Sequence, residues 1–225
     1  VEGGKEIGAL LKKVENEFDF KNPAASIAEL VEAYKLIQHL EDKHWKQLKS
    51  SAIKEIIAGC AGLYLEAVAD NSSTTPTVKN TLKIEAINRS NYNIILKSVR
   101  ISPLDVTNNE ATKLLNNVSH RFSMDLKIPS NIAQTSPYWL VEKGSLGMYK
   151  VADKTLISLP ETPRAIYTNF ILDFDGYSIP FTKEVVYKYN DPVKGEVYQP
   201  FEILPEVSAN FNEKVYIFAD DNSQQ

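Results

Sequence analysis

Cysteine occurs once in 225 residues, as Cys60, which excludes an internal disulfide and a cysteine-rich zinc site. Histidine is nearly as scarce, with only His39, His44 and His120. His39 and His44 are five positions apart, whereas neighbours on one helical face are three or four apart. Neither a His-Glu-x-x-His pattern nor a Cys/His cluster occurs, so no metal ligand set is legible and no cofactor is expected in this chain. No apolar run approaches the roughly 18 residues that cross a bilayer, so no membrane span is expected. Basic residues are not in excess: 25 Lys and Arg against 29 Asp and Glu leave a net charge of −4. Such a chain has no non-specific attraction for nucleic acid or an anionic membrane. Residue 1 is Val, and the methionines are Met124 and Met148. The chain therefore reads as a fragment or processed product from which any signal peptide is already gone. What is present, 43% hydrophobic and 24% charged residues, is the composition of a globular protein.

The first third carries helical spacing. Ile7, Leu10, Leu11, Val14 and Phe18 fall on one helical face. The Phe18–Pro23 stretch interrupts it, because a residue before proline avoids the helical region. A second helix is expected from Ser26, where Ser26 and Glu29 have the spacing of a capping box. Its buried face comprises Ile27, Leu30, Val31, Tyr34, Ile37 and Leu40. A third is expected from about His44 to about Val68, carrying Leu48, Ile53, Ile56, Ile57, Cys60 and Tyr64. Gly59 and Gly62 weaken that helix and suit close approach by a neighbouring one.

After the polar, turn-forming stretch Asp70–Pro76 the period changes to two. Leu82, Ile84 and Ala86 share one face of a strand that ends at the Asn88–Asn91 turn, and Ile94–Ile101 reads as its returning partner. Phe122, Met124, Leu126 and Ile128 alternate with polar residues, as do Ile166, Thr168, Phe170, Leu172 and Phe174. Asp175-Gly176 is a hairpin signal, with Ile179, Phe181, Val185, Tyr187 and Tyr189 on the return strand. Further strands are expected at Val197–Ile203 and Val215–Phe218. The expected fold is α+β and multidomain. A helical unit of about three helices occupies residues 1–72 and an antiparallel immunoglobulin- or fibronectin-like β-sandwich occupies 73–225. Between its strands, Pro129–Pro163 is irregular, and a loop of that length is usually functional or packed on a partner.

Few residues suggest chemistry. There is no Gly-x-Ser-x-Gly elbow, and Gly144-Ser-Leu-Gly147 lacks the Lys-Ser ending of a phosphate loop. Cys60 lies on an apolar helical face, where a thiol is inert. Asp173 and Asp175 read as solvent-facing strand carboxylates, too few for the six to eight oxygens of calcium. Asn71, Asn88 and Asn117 head Asn-x-Ser patterns suited to surface turns. The candidates for binding are Tyr138, Trp139 and Tyr149 in the irregular segment, which could equally pack an end of the sandwich. Asp191 and Glu196 join them, in a loop flanked by Tyr187, Tyr189 and Tyr198 that also reads as a plain turn.

One long block is more specific. Glu184–Ile203, with Asp191-Pro-Val-Lys-Gly-Glu196 at its centre, resembles a segment of long bacterial PIG-L (LmbE-like) family proteins. Ser136-Pro-Tyr-Trp-Leu140, Leu159-Pro-Glu161 and Ala86-Ile-Asn-Arg-Ser90 resemble parts of the same region, which follows the catalytic domain. Val1-Glu-Gly-Gly resembles its beginning. The resemblance implies relatives that are zinc-dependent hydrolases removing N-acetyl groups from amino sugars. Their ligands come from a His-Pro-Asp-Asp motif and a later histidine on an upstream domain. This chain has no His-Pro pair, so no catalytic residue carries over. The implied role is non-catalytic: an accessory region, extracytoplasmic (periplasmic or secreted) and bacterial, whose partner is the upstream catalytic domain of the same polypeptide. That role predicts exposed apolar surface on the helices. The alternative is a free-standing carbohydrate-binding or adhesion module, with Tyr138, Trp139 and Tyr149 as its platform.

Overall fold

A computed structural model describes residues 2–109, 111–209, 212 and 215. Helix α1 spans Gly4–Glu17, α2 Ile27–Gln38 and α3 Lys43–Ala61. The apolar face expected of α2 is the one buried: Ile27, Leu30, Val31, Tyr34 and Ile37. The capping box does not form. Pro23–Ser26 is a 3₁₀ turn that runs straight into α2, and Ile27 N–H donates to the Ala24 carbonyl. Ser26 is therefore already helical, with φ −84° and ψ −6°, and its side chain caps nothing. The working cap is Asp42, extended at φ −67° and ψ 105°, whose carboxylate accepts from Trp45 N–H at 3.0 Å to start α3.

Helix α3 is shorter than its apolar spacing suggests. Gly62 takes φ +56°, and Leu63 N–H turns back to the Ala58 carbonyl at 2.9 Å. A Cβ on Gly62 would lie 2.9 Å from Arg89 Cβ, so the close neighbour is a loop between strands and not a helix. The chain then enters strand β1, Tyr64–Ala69, where Leu65, Ala67 and Ala69 are buried and Glu66 lies on the opposite face.

The remaining strands are β2 Ser73–Thr74, β3 Lys79–Ile87, β4 Ile94–Ser102, β5 Val106–Asn108, β6 Thr112–Leu114 and β7 His120–Lys127, followed by β8 Tyr167–Phe174, β9 Tyr177–Asp191, β10 Gly195–Pro200 and β11 Glu202–Ile203. Among the described residues, nine strands form one sheet in the order β5-β4-β8-β9-β1-β3-β7, with β6 beside β4 and β10 beside β9. Strands β2 and β11 form a separate parallel pair. This corrects the expected antiparallel sandwich: the sheet is mixed and nearly barrel-shaped. The unforeseen β1 is the reason. It pairs antiparallel with β3 and parallel with β9, joining strands that would otherwise belong to two sheets. Strands β3 and β4 are not a hairpin, since β3 lies between β1 and β7 while β4 pairs with β8. A bridge between Asn88 and Asn116 then brings the end of β3 to the residues after β6, rolling the sheet.

The hairpin expected at Asp175-Gly176 is present, with φ values of +49° and +92° at the two turn residues and Phe174 opposite Tyr177. Asp173 departs from its expected exposure: it is buried and accepts from Gly176 N–H at 2.8 Å, so it belongs to the turn. Asn88 is likewise buried, not on a surface turn. Its amide donates to the Tyr92 carbonyl at 3.0 Å, and its oxygen accepts from Ser90 N–H at 2.9 Å. The core is continuous from helices to sheet: Ile27, Leu30 and Ile37 of α2 are buried in one cluster with Leu82, Ile84, Leu96 and Phe170. Tyr34 meets Tyr177 at 6.1 Å, and Lys54 donates to the Pro180 carbonyl at 3.1 Å. The strand expected over Val215–Phe218 lies outside the described residues apart from Val215, which is not in a strand.

Capping should separate the two N-terminal signals in urea melts. Asp42→Ala is expected to cost about 0.5–2 kcal/mol, and Ser26→Ala distinctly less. Equal losses would return the cap to Ser26.

Candidate functional site

The segment between β7 and β8 has little regular structure, yet it is pinned at many points. Thr135 N–H donates to the Ile203 carbonyl at 2.8 Å, and Ile203 N–H returns a bond to Thr135 Oγ1 at 2.9 Å. The Thr162 hydroxyl accepts from Tyr138 N–H at 2.9 Å and donates to the Ser136 carbonyl at 3.1 Å. The Tyr138 hydroxyl donates to the Leu159 carbonyl at 3.2 Å, and Lys150 pairs with Glu142 at 2.7 Å. The segment shows several apolar side chains to water. Tyr149, Val141, Met148 and Leu146 are 68%, 70%, 71% and 104% exposed, and Leu140 and Ile157 are exposed as well.

Leu146 stands at the tip because of a turn. Ser145 and Met148 exchange backbone hydrogen bonds of 3.0 and 3.2 Å, with Gly147 at φ +80°. Gly144 must be glycine, since a Cβ there would lie 2.5 Å from the Met148 carbonyl oxygen. Trp139, Leu140, Met148 and Tyr149 line one shallow depression of about 510 Å³. The Tyr138 ring meets half-buried Trp139 edge to face, 4.8 Å between centroids and 89° between planes. Three of the five candidate binding residues, Tyr138, Trp139 and Tyr149, are thus gathered in one place.

Asp191 and Glu196 lie elsewhere, on the β9–β10 hairpin. Asp191 accepts from Val193 N–H and Lys194 N–H, both at 2.8 Å, and these amides hold its carboxyl below the usual range. It is committed to its own turn. Glu196 enters a row of polar side chains on the outer face of the sheet, formed by Tyr198 of β10, Lys188 of β9, Glu66 of β1, Glu85 of β3 and Arg121 of β7. Register explains the row, since Tyr198 opposes Lys188, Glu66 opposes Glu85 and Glu85 opposes Arg121. Facing glutamates repel, and each is met by a cation: Lys188 lies 2.7 Å from Glu66, and Arg121 lies 2.8 Å from Glu85. The Tyr198 hydroxyl is shared between Glu196 at 2.6 Å and Glu66 at 3.0 Å, and this raises its pKa well above the ordinary phenol. Partial burial alone would raise Glu85, but bonds from Arg121 and from Ser119 at 2.6 Å outweigh it, so the carboxyl is held below its ordinary value. A groove of about 580 Å³ lies over this row. The carboxylates are engaged by cations, and the row works as a clasp across five strands. Of its members, Glu196 and the neighbouring Tyr198 are the ones the sequence singles out. Glu66 was hidden by the helical reading of its segment, and Arg121 becomes visible only once the register is known.

Among the described residues, no group of three or more His, Cys, Asp or Glu side chains is placed to hold a metal ion. No described helix is long and apolar enough to cross a membrane. No protein-family model matches the sequence, and no curated protein matches it. A solved structure of the alkylpurine DNA glycosylase AlkC of Pseudomonas fluorescens, bound to DNA containing an abasic site analog, is similar over 86% of this chain at 8% identity, with a TM-score of 0.29. This chain spans 50% of that one, and the superposition is too loose to establish a common fold.

The clasp gives a pH dependence of definite sign. Because the Glu85 pKa is below its unfolded value near 4.5, the clasp's contribution is present above that pH and is lost as pH falls through the folded value. In thermal melts from about pH 6 down to about pH 2.5, Glu85→Gln should be less stable at the upper end and lose less on acidification. Parallel curves for the two proteins would show that Arg121 and Ser119 do not hold Glu85 in solution.

Proposed function

We propose that this chain is a non-catalytic accessory region that packs on an upstream hydrolase domain of the same polypeptide and helps to position its substrate. The reading joins two supports of different kind. The resemblance of Glu184–Ile203 and the shorter segments to the region after the catalytic domain of PIG-L (LmbE-like) deacetylases supplies the partner. On that reading the parent is a bacterial, extracytoplasmic zinc-dependent de-N-acetylase, with zinc and base on the other domain. The structural observation that carries the reading is the apolar display of residues 140–149. Side chains as apolar as Leu146, Val141 and Met148 are held out by a hydrogen-bonded framework instead of being folded under it. Exposed apolar surface on a pinned loop is what an interdomain contact requires, because the loop loses little further entropy on docking. In this reading Trp139 and Tyr149, which line the same depression, contact a sugar bound at the boundary.

The test is association of this chain with the separately expressed upstream region, followed by calorimetry. A one-to-one complex is expected. The double variant Leu146→Glu, Met148→Glu should weaken it at least about tenfold while leaving the melting temperature of this chain unchanged. No association, together with saturable glycan binding that Trp139→Ala removes, would replace the accessory role with that of a carbohydrate-binding module.

A further inference from the structure

A second exposed apolar feature lies on the helices, away from the 140–149 surface. Ile7 and Leu11 of α1, Leu40 after α2, and Trp45, Ile53 and Ile56 of α3 line a groove of about 390 Å³ whose walls are almost wholly apolar. Two of these, Trp45 and Ile56, are 40% and 50% exposed. The wall formed by α1 includes Gly4 and Gly8, four residues apart on the helical face that carries Ile7 and Leu11. A Cβ on either glycine would meet nothing within 4 Å, and neither has a positive φ. Gly8 lies inside the helix, where glycine is less favourable than alanine, and no contact inside this structure requires a glycine at either position. Bare backbone at i and i+4 is what lets another helix approach closely.

One end of the groove is acidic. Glu2, Glu6, Glu41 and Asp42 line an adjoining depression of about 500 Å³ that shares Leu40 with the groove. Asp42 is used as the α3 cap, but Glu2, Glu6 and Glu41 make no ion pair among the described residues. Apolar walls call for an apolar face, and unpaired carboxylates at one end call for cations there.

We infer that the α1–α3 groove receives an amphipathic helix with small and apolar residues on one face and Lys or Arg at the end that reaches Glu2, Glu6 and Glu41. The three helices then become four, packed in the manner of a bundle. The groove is a surface distinct from residues 140–149, and its occupant is a partner helix of that chemistry, not a second copy of this chain.

A labelled synthetic peptide of about 18 residues, with a Leu/Ala face and three lysines at one end, serves as the probe in anisotropy titrations of the full chain. Saturable binding is expected. Reversing the three lysines to glutamates should weaken binding about tenfold or more, and Glu6→Lys with Glu41→Lys should invert that preference. Gly8→Leu fills the groove while improving helix propensity, so binding should fall about tenfold with the melting temperature kept or raised. Three results would overturn the inference: no saturable binding, binding of a scrambled peptide of the same composition, or undiminished binding by Gly8→Leu. Self-association of the chain that Gly8→Leu abolishes, without peptide binding, would also overturn it and give the groove to a second copy.

Discussion

The seam between β1 and β9 holds the two halves of the sheet together. It consists of two residue pairs in parallel register, Ala67 with Val185 and Val68 with Val186. On the inner side the seam is closed by Ala67 and Val185, both buried, where the small alanine lets the strands meet under the core. On the outer side it is closed by Glu66, which takes Lys188 from β9 and Tyr198 from β10. Short parallel pairing is weak by itself, so side chains on both faces must supply what the backbone does not. A partly buried ion pair has a desolvation cost, and the shared tyrosine hydroxyl offsets some of it by satisfying the second carboxylate oxygen. Without this seam, strands β4, β5, β6, β8, β9 and β10 would form one sheet and β1, β3 and β7 another. The sequence suggests a different arrangement, with β3 and β4 as neighbours and no strand at Tyr64–Ala69.

The legible parts are those where neighbours in sequence are neighbours in space. Leu82, Ile84 and Ala86, and Met124, Leu126 and Ile128, announce strands because one face is buried along their whole length. Asp175-Gly176 announces its hairpin because only certain residues tolerate two positive φ angles in succession. The illegible parts depend on distant partners. Tyr64–Ala69 continues the spacing of α3 and reads as helix, and what decides otherwise is Gly62 in a left-handed conformation against Arg89. The pairing of β3 with β1, and not with β4, has no local signal. Ser26 and Glu29 have the spacing of a cap, yet Pro23 starts a 3₁₀ turn three residues earlier and makes the cap redundant.

The same division runs through the candidate site. Tyr138, Trp139 and Tyr149 were legible as aromatics outside regular structure, and the fold does gather them. What composition could not show is the direction of Leu146, Met148 and Val141. An apolar residue read in isolation is assigned to the core, and here the backbone around Gly144 and Gly147 turns these outward. Asp191 and Glu196 sit close in sequence but are put to different uses. One closes a turn through backbone amides, and the other joins a cross-strand network whose members come from five strands.

Burial is uneven among the three helices. Helix α2 buries a full face against the sheet, while α3 buries Ile53, Ile57 and Ala61 and leaves Leu48 and Ile56 in water. Helix α1 buries only Ile7, and its N-cap residue Gly3 provides no side-chain bond. A helix of 14 residues with glycine at its first position, another at Gly8 and a single buried anchor is marginal on propensity alone. Elements that gain structure or partners on binding come from this weakly held end of a fold, because changing them does not disturb the core. The α1–α3 groove is at that end. The 140–149 surface is not, since its hydrogen bonds fix its shape before any contact is made. The two surfaces thus suit different kinds of association, the loop a preformed fit and the groove a helix whose docking completes the packing of α1.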